Sequence, residues 1–249
     1  MHVAELDYPG DRLDYDDKEW AWKIQLIIMS LESYLTEASV SLNLFEAEAQ
    51  DISAFNRPEL SDREIQRHEN LLAEFEQQLG QEDFYRNYSQ ITEQVERVIN
   101  REKWNDGQLP QEYKHRLVFM YARCFVHALD ISGKLLTVLG GKFEGVPDEI
   151  NTQTVKFYSR FPELTGVRDT VEHIEDRVRG KDRKGKPIKT QEGGLQLDNL
   201  RGNKFGCTMS DGKYGEVEIS AASLSTLGEC IQAVINSVQW SGRPTHYPR

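Results

Sequence analysis

The feature that most constrains this chain is a run of apolar residues at Ile24, Ile28, Leu31, Leu35, Ala38, Leu42, Phe45, Ala49 and Ile52. Steps of four and three residues alternate without a break, and only an α-helix brings such positions onto one face. The spacing predicts a helix over residues 18–55, a rod on the order of 50 Å long at about 1.5 Å per residue, whose seam packs on near-parallel neighbours. Asn56-Arg57-Pro58 ends it, because proline disfavours helical geometry in the residue before it.

The same period recurs downstream. Ser61 followed by Glu64 forms a capping box. The helix it opens carries Ile65, His68, Leu72, Phe75 and Leu79 as far as Gly80. Residues 83–99 repeat the pattern with Phe84, Tyr88, Ile91, Val95 and Val98, and 104–110 read as a loop around Asp106-Gly107. Residues 111–139 are apolar around most of the circumference, as a central helix is, with Gly140-Gly141 as its stop. Pro147 opens a short helix to Arg160. Pro162 opens another with Leu164, Val167, Val171, Ile174 and Val178, ending at Gly180. Nothing from 18 to 180 alternates with period two, so this stretch reads as an all-α bundle of five or six helices.

Beyond Gly180 the character changes. Residues 181–194 form a polar, basic linker, and 204–209 and 214–219 flank Asp211-Gly212 as the arms of a β-hairpin. Ser220 or Ser223 caps a last helix reaching Trp240. The expected fold is therefore mainly α. It is an up-and-down helical bundle over 18–180, preceded by an acidic tail (1–17) and followed by linker, β-hairpin and final helix (181–249) packed on the bundle.

Composition narrows the function classes without choosing one. A chain of 249 residues suits one domain, or one with an appendage. The formal charge of −11 argues against a generic nucleic-acid binder, yet it is unevenly spread. Residues 1–100 hold 8 basic and 22 acidic side chains, while residues 101–249 hold 22 basic and 19 acidic ones, so an anionic partner should be met by the C-terminal part. No apolar run suggests a bilayer span, and the acidic start lacks the basic and apolar regions of a signal peptide. Cys124, Cys207 and Cys230 show no paired spacing and read as buried, reduced thiols of a cytoplasmic protein.

The stretch that carries chemistry is Arg168-Asp169-Thr170-Val171-Glu172-His173. A histidine moves protons near neutral pH. A guanidinium offers fixed charge and paired donors to phosphoryl oxygens. The arrangement resembles the motif of the HEPN superfamily: an arginine, a polar residue, and a histidine with four to six residues between it and the arginine, on a late helix of a bundle. That resemblance implies metal-independent RNA cleavage through the 2′-hydroxyl at a site shared by two copies of the chain. It makes His173 the general acid/base and Arg168 the phosphate-binding group, with Asp169 orienting one of them and Glu172 in support. It also implies a toxin or defence role, an antitoxin partner and no cofactor. Arg177, Arg179, Lys181, Arg183 and Lys184 are the candidate RNA contacts.

A bland alternative stands beside this one. Arg168 pairs with Glu172 one turn on, His173 is a boundary histidine, and the basic run is a solvated loop. The chain is then a non-catalytic helical interaction or dimerisation protein using its first seam. A second Arg-x4-His spacing, Arg63–His68, falls on the apolar stripe of an ordinary helix and reads as a chance match. Metal sites have less support. Cys124, His127 and Asp130 drift around their helix and read as core and boundary polar groups, and a single Glu-x-x-His pair, Glu112–His115, is half of what a di-iron bundle needs.

Overall fold

The computed structural model describes residues 1–53, 61–190 and 194–248, the side chains of 50–53 excepted. In chain order these form β1 (Leu6–Tyr8), β2 (Arg12–Leu13), α1 (Lys18–Ser53), α2 (Asp62–Leu79), α3 (Gln81–Arg86), α4 (Tyr88–Asn105), α5 (Gln111–Lys142), α6 (Asp148–Arg160), α7 (Leu164–Glu172) and α8 (Ile174–Arg177). There follow β3 (Asn199–Arg201), β4 (Lys204–Thr208), β5 (Tyr214–Glu218), α9 (Ala221–Ser237), β6 (Trp240–Ser241) and β7 (Thr245–Tyr247). The protein is mainly α, with nine helices among the described residues and a small C-terminal sheet region. The expected stop at Asn56-Arg57-Pro58 and the side chain of Ile52 lie outside the described residues.

The chain divides into two compact units, residues 1–47 with 118–249, and residues 48–117. The divisions fall inside α1 and α5, not at the 17/18 and 180/181 boundaries read from composition.

In the first unit, Ile24, Ile28, Leu31, Leu35, Ala38, Leu42 and Phe45 are buried to within 2%. This seam is therefore interior, and it is not available to a partner as the interaction reading required. Helix α5 contributes Ala122, Phe125, Val126, Leu129, Leu136 and Leu139, while α9 packs on α6 through Leu227, Ile231, Val234 and Ile235. Gly133 lets α5 and α6 close up, since a Cβ there would lie 2.7 Å from the Phe157 ring. Ser220 caps α9 by accepting from the Ser223 N–H.

The expected hairpin is β4–β5, joined in register from Lys204↔Glu218 to Thr208↔Tyr214, with β3 added on the free side of β4. Gly212, at φ 83°, supplies the left-handed residue of the connection. The sheet lies on α7, where the Thr170 hydroxyl donates to the Thr208 carbonyl at 3.2 Å and the Glu163 carboxylate accepts the Glu216 N–H at 2.7 Å.

Several expectations need correction. Residues 1–17 are not a tail: β1 pairs antiparallel with β7 and β2 with β6, and Leu6 and Leu13 are buried. The partners lie more than 220 residues away, beyond any local signal. The third helix is split at Asn87, where φ −109° and ψ 15° interrupt it. Helix α5 runs through Gly140-Gly141 to Lys142. One window of this helix, with mean hydropathy 1.2, is long and apolar enough to cross a membrane by length and composition, and half of it is buried within the protein, as in a core helix. Cys124 is exposed, not buried.

The second unit is built by α2 to α4. The Ser61–Glu64 capping box forms as expected. Leu71, Phe84, Ile91 and Val95 make the core, flanked by Leu72, Phe75, Val98 and Ile99. Arg67 clamps Glu102 through Nε and Nη2, tying α2 to α4.

Candidate functional site

Helix α7 is held from both sides, and the two clamps position the Arg168–His173 motif. On one side stands Asp130 of α5, wholly buried. Its Oδ2 lies 3.2 Å from Arg168 Nε and 2.6 Å from Lys134 Nζ, though neither contact has the alignment of a hydrogen bond. A buried carboxylate is costly to desolvate, and two cations offset that cost. On the other side is Arg177, also wholly buried. Its Nε reaches the Thr170 hydroxyl at 3.4 Å and its Nη1 donates to the Lys181 carbonyl at 2.9 Å, while Nη2 has no partner.

Between these clamps the helix breaks. Glu172 is the last residue of α7, and His173 takes φ −115° and ψ 41° before α8 begins. Positions five apart on a continuous helix are turned about 140° from each other, so the break releases His173 from that relation to Arg168. The His173 N–H still donates to the Asp169 carbonyl at 3.1 Å, and its Nδ1 stands 3.6 Å from Glu175 Oε1. Its side chain is about a quarter exposed.

Arg168 is surrounded by carboxylates. Nε faces Asp130, Nη1 lies 3.6 Å from Asp169 Oδ1, and Nη2 lies 3.7 Å from Glu172 Oε2. The last two distances are ion pairs too long for hydrogen bonds, so each terminal nitrogen stands beside a carboxylate without hydrogen-bonding to it. Glu172 also reaches across to α5, where its Oε1 stands 3.5 Å from His127 Nδ1. The edge of Tyr34, from α1, closes the group with ring centroids 6.4 Å from His127.

The fold thus brings Arg168, Asp169 and Glu172 together as the sequence suggested, and adds His127, Asp130 and Lys134. The histidine sharing a carboxylate with Arg168 is His127, while His173 pairs with Glu175. Asp130 and His127 read from the sequence as core and boundary polar groups. The overlooked signal was Asp130 itself, a charge inside a helix apolar around most of its circumference, which demands a cationic partner from elsewhere in the chain. Among the described residues no group of three or more His, Cys, Asp and Glu side chains is arranged to hold a metal.

The basic candidates separate. Arg177 is corrected: wholly buried, it holds the α7–α8 turn to Thr170 and Lys181 and presents nothing to a ligand. It sits on the inner face of a short helix, a placement no linear charge pattern reveals. Arg179 is exposed but paired with Asp176 at 2.5 Å. Lys181, Arg183 and Lys184 are exposed on a compact turn. There Asp182 Oδ1 accepts the N–H groups of Lys184 and Lys186, and Lys181 bridges to Pro187.

Comparison of the chain with protein-family models, with curated proteins and with solved structures finds no match.

Proposed function

We propose that the protein is a metal-independent endoribonuclease of HEPN type, with Arg168 and His173 as its working pair. The carrying observation is Arg168: buried charge fixes its Nε side, while neither terminal nitrogen hydrogen-bonds to the carboxylate beside it. Donor nitrogens so placed can meet phosphoryl oxygens as they gain charge. His173, at the break between α7 and α8, takes the 2′-hydroxyl proton. The 2′-oxygen attacks phosphorus, and the P–O5′ bond breaks as the 5′-oxygen takes a proton from an imidazolium of the shared site, giving a 2′,3′-cyclic phosphate and a 5′-hydroxyl. Lys181, Arg183 and Lys184, beside the end of α8, offer charge to neighbouring phosphates. A toxin or defence role with an antitoxin, and a site shared by two copies, follow from the resemblance and belong to the same proposal.

The test is cleavage of single-stranded RNA in chelator. Wild type should yield cyclic-phosphate ends, and His173→Ala should lose about 10²- to 10⁴-fold in rate with its melting temperature kept. His127→Ala identifies which imidazole acts. Wild type that leaves RNA intact, or that matches His173→Ala, ends this reading.

One observation favours the non-catalytic alternative. Three carboxylates around Arg168 against the two cations Arg168 and Lys134 leave the cluster with an excess of negative charge, which suits an internal clamp better than an anion site. On that reading Arg168→Ala lowers the melting temperature and changes nothing else.

A further inference from the structure

Helix α1 has a second stripe, opposite its buried seam. Trp22 is 60% exposed, Leu26 43%, Met29 53%, Val40 52% and Leu44 41%, with Ser33 and Glu37 exposed between them. A residue every three or four positions over 23 residues makes one continuous face about 33 Å long. These five apolar side chains, in two groups on either side of Ser33 and Glu37, together present on the order of 500 Å² to solvent.

We infer that this outer face of α1 is the contact surface for a second copy of this chain, the two helices running antiparallel about a two-fold axis at Ser33. The inference does not depend on RNA cleavage. Its argument is the spacing: the steps from Trp22 to Leu44 are four, three, four, four, three, four, the same read from either end. A two-fold interface is self-complementary, so residue i must meet residue j and j must meet i. The palindrome satisfies this at every position. Trp22 of one copy meets Leu44 of the other, Leu26 meets Val40, Met29 meets the stem of Glu37, and Ser33 meets itself. A small residue at the crossing lets the axes approach to roughly the 8–10 Å of packed helices.

Charge selects the antiparallel sense. Lys18 and Glu48, the next positions beyond the stripe on the same side, come opposite each other in the antiparallel pair. A parallel pair would set Lys18 on Lys18, Glu37 on Glu37 and Glu48 on Glu48, each a like-charge contact. Two such faces bury about 1,000 Å² before flanking residues are added, the threshold for a specific association.

The experiment is sedimentation equilibrium of the full chain, with cross-linking as the register test. Wild type should be a dimer at tens of micromolar. Leu26→Glu and Val40→Glu should each raise the dissociation constant at least about 30-fold with the helical signal unchanged, because both side chains are already exposed. In a Cys124→Ser background, which removes the exposed thiol, Ser33→Cys should cross-link to itself under mild oxidation. Leu26→Cys should do so only with Val40→Cys also present. A monomeric wild type, a dimer indifferent to both glutamates, or a Leu26→Cys chain that links as readily as Ser33→Cys would each overturn the inference.

Discussion

Replacing Arg177 separates the role of its volume from the role of its charge. The side chain is wholly buried, no carboxylate among the described residues pairs with it, and one terminal nitrogen makes no hydrogen bond among them. Desolvating an ion costs several kcal/mol in a protein interior, and an unmade bond on a buried donor adds roughly 1–3 kcal/mol. Against this stand the bonds to the Thr170 hydroxyl and the Lys181 carbonyl, and the space the side chain fills. Arg177→Met keeps most of that space and removes the charge. Arg177→Ala removes both and leaves about 100 Å³ unfilled, which at roughly 24 cal/mol per Å³ costs about 2.4 kcal/mol. Arg177→Met should therefore stay within about 1 kcal/mol of wild type or exceed it, since what it loses in hydrogen bonds is repaid by desolvation avoided. Arg177→Ala should fall below Arg177→Met by about 2–3 kcal/mol, roughly 5–10 °C in melting temperature for a unit of this size. Thermal unfolding of the three proteins side by side reads the difference. If Arg177→Met is as damaging as Arg177→Ala, the guanidinium's bonds and not its volume hold the α7–α8 turn, and the reasoning fails.

Two further expectations concern titration and thiol access. In the second unit, hydrogen bonding to Lys103, then to the Ser61 backbone and side chain, lowers the Glu64 pKa from 4.5 to about 2. A carboxyl depressed on folding contributes stability above its unfolded value, so this contribution is present above pH 4.5 and is lost as pH falls toward 2. Unfolding followed between pH 5 and 2 should show the loss, and Glu64→Gln should flatten it; an unchanged slope in that variant refutes the assignment. Burial pushes all three thiols up, Cys207 to about 11, with the Glu37 carboxylate adding to the shift at Cys124; among them Cys124 is exposed, while Cys207 and Cys230 are buried. A maleimide should modify one thiol per native chain near neutral pH, mapped to Cys124 by mass spectrometry, with the others reacting after denaturation. Prompt labelling of Cys207 in the native protein would show that the sheet over α7 opens.

Helical periodicity was legible because it is local. The seam from Ile24 to Phe45, the Ser61–Glu64 box, the Asp211-Gly212 hairpin and the Ser220 cap each depend on residues within a turn or two of one another, and each forms. Breaks inside helices were less so. Asn87 and His173 interrupt stripes whose spacing continues across them, since apolar period reports which face is buried and not whether the backbone stays helical.

The candidate site was half legible. Arg168, Asp169 and Glu172 are neighbours in sequence and remain so in space. His127 and Asp130 join them from a helix some forty residues earlier, and Arg177 leaves the group by turning inward.

The sequence alone determined a mainly α chain, most helix starts and the apolar seam of α1. The tertiary structure decided that a second apolar stripe of α1 stays open to solvent, which charges are paired, and that the two ends of the chain meet as β1–β7 and β2–β6. The physical reason is range. Helix geometry and capping are set by contacts a few residues apart, while the burial of a charge or the pairing of an edge strand depends on groups brought together only when the whole chain has folded.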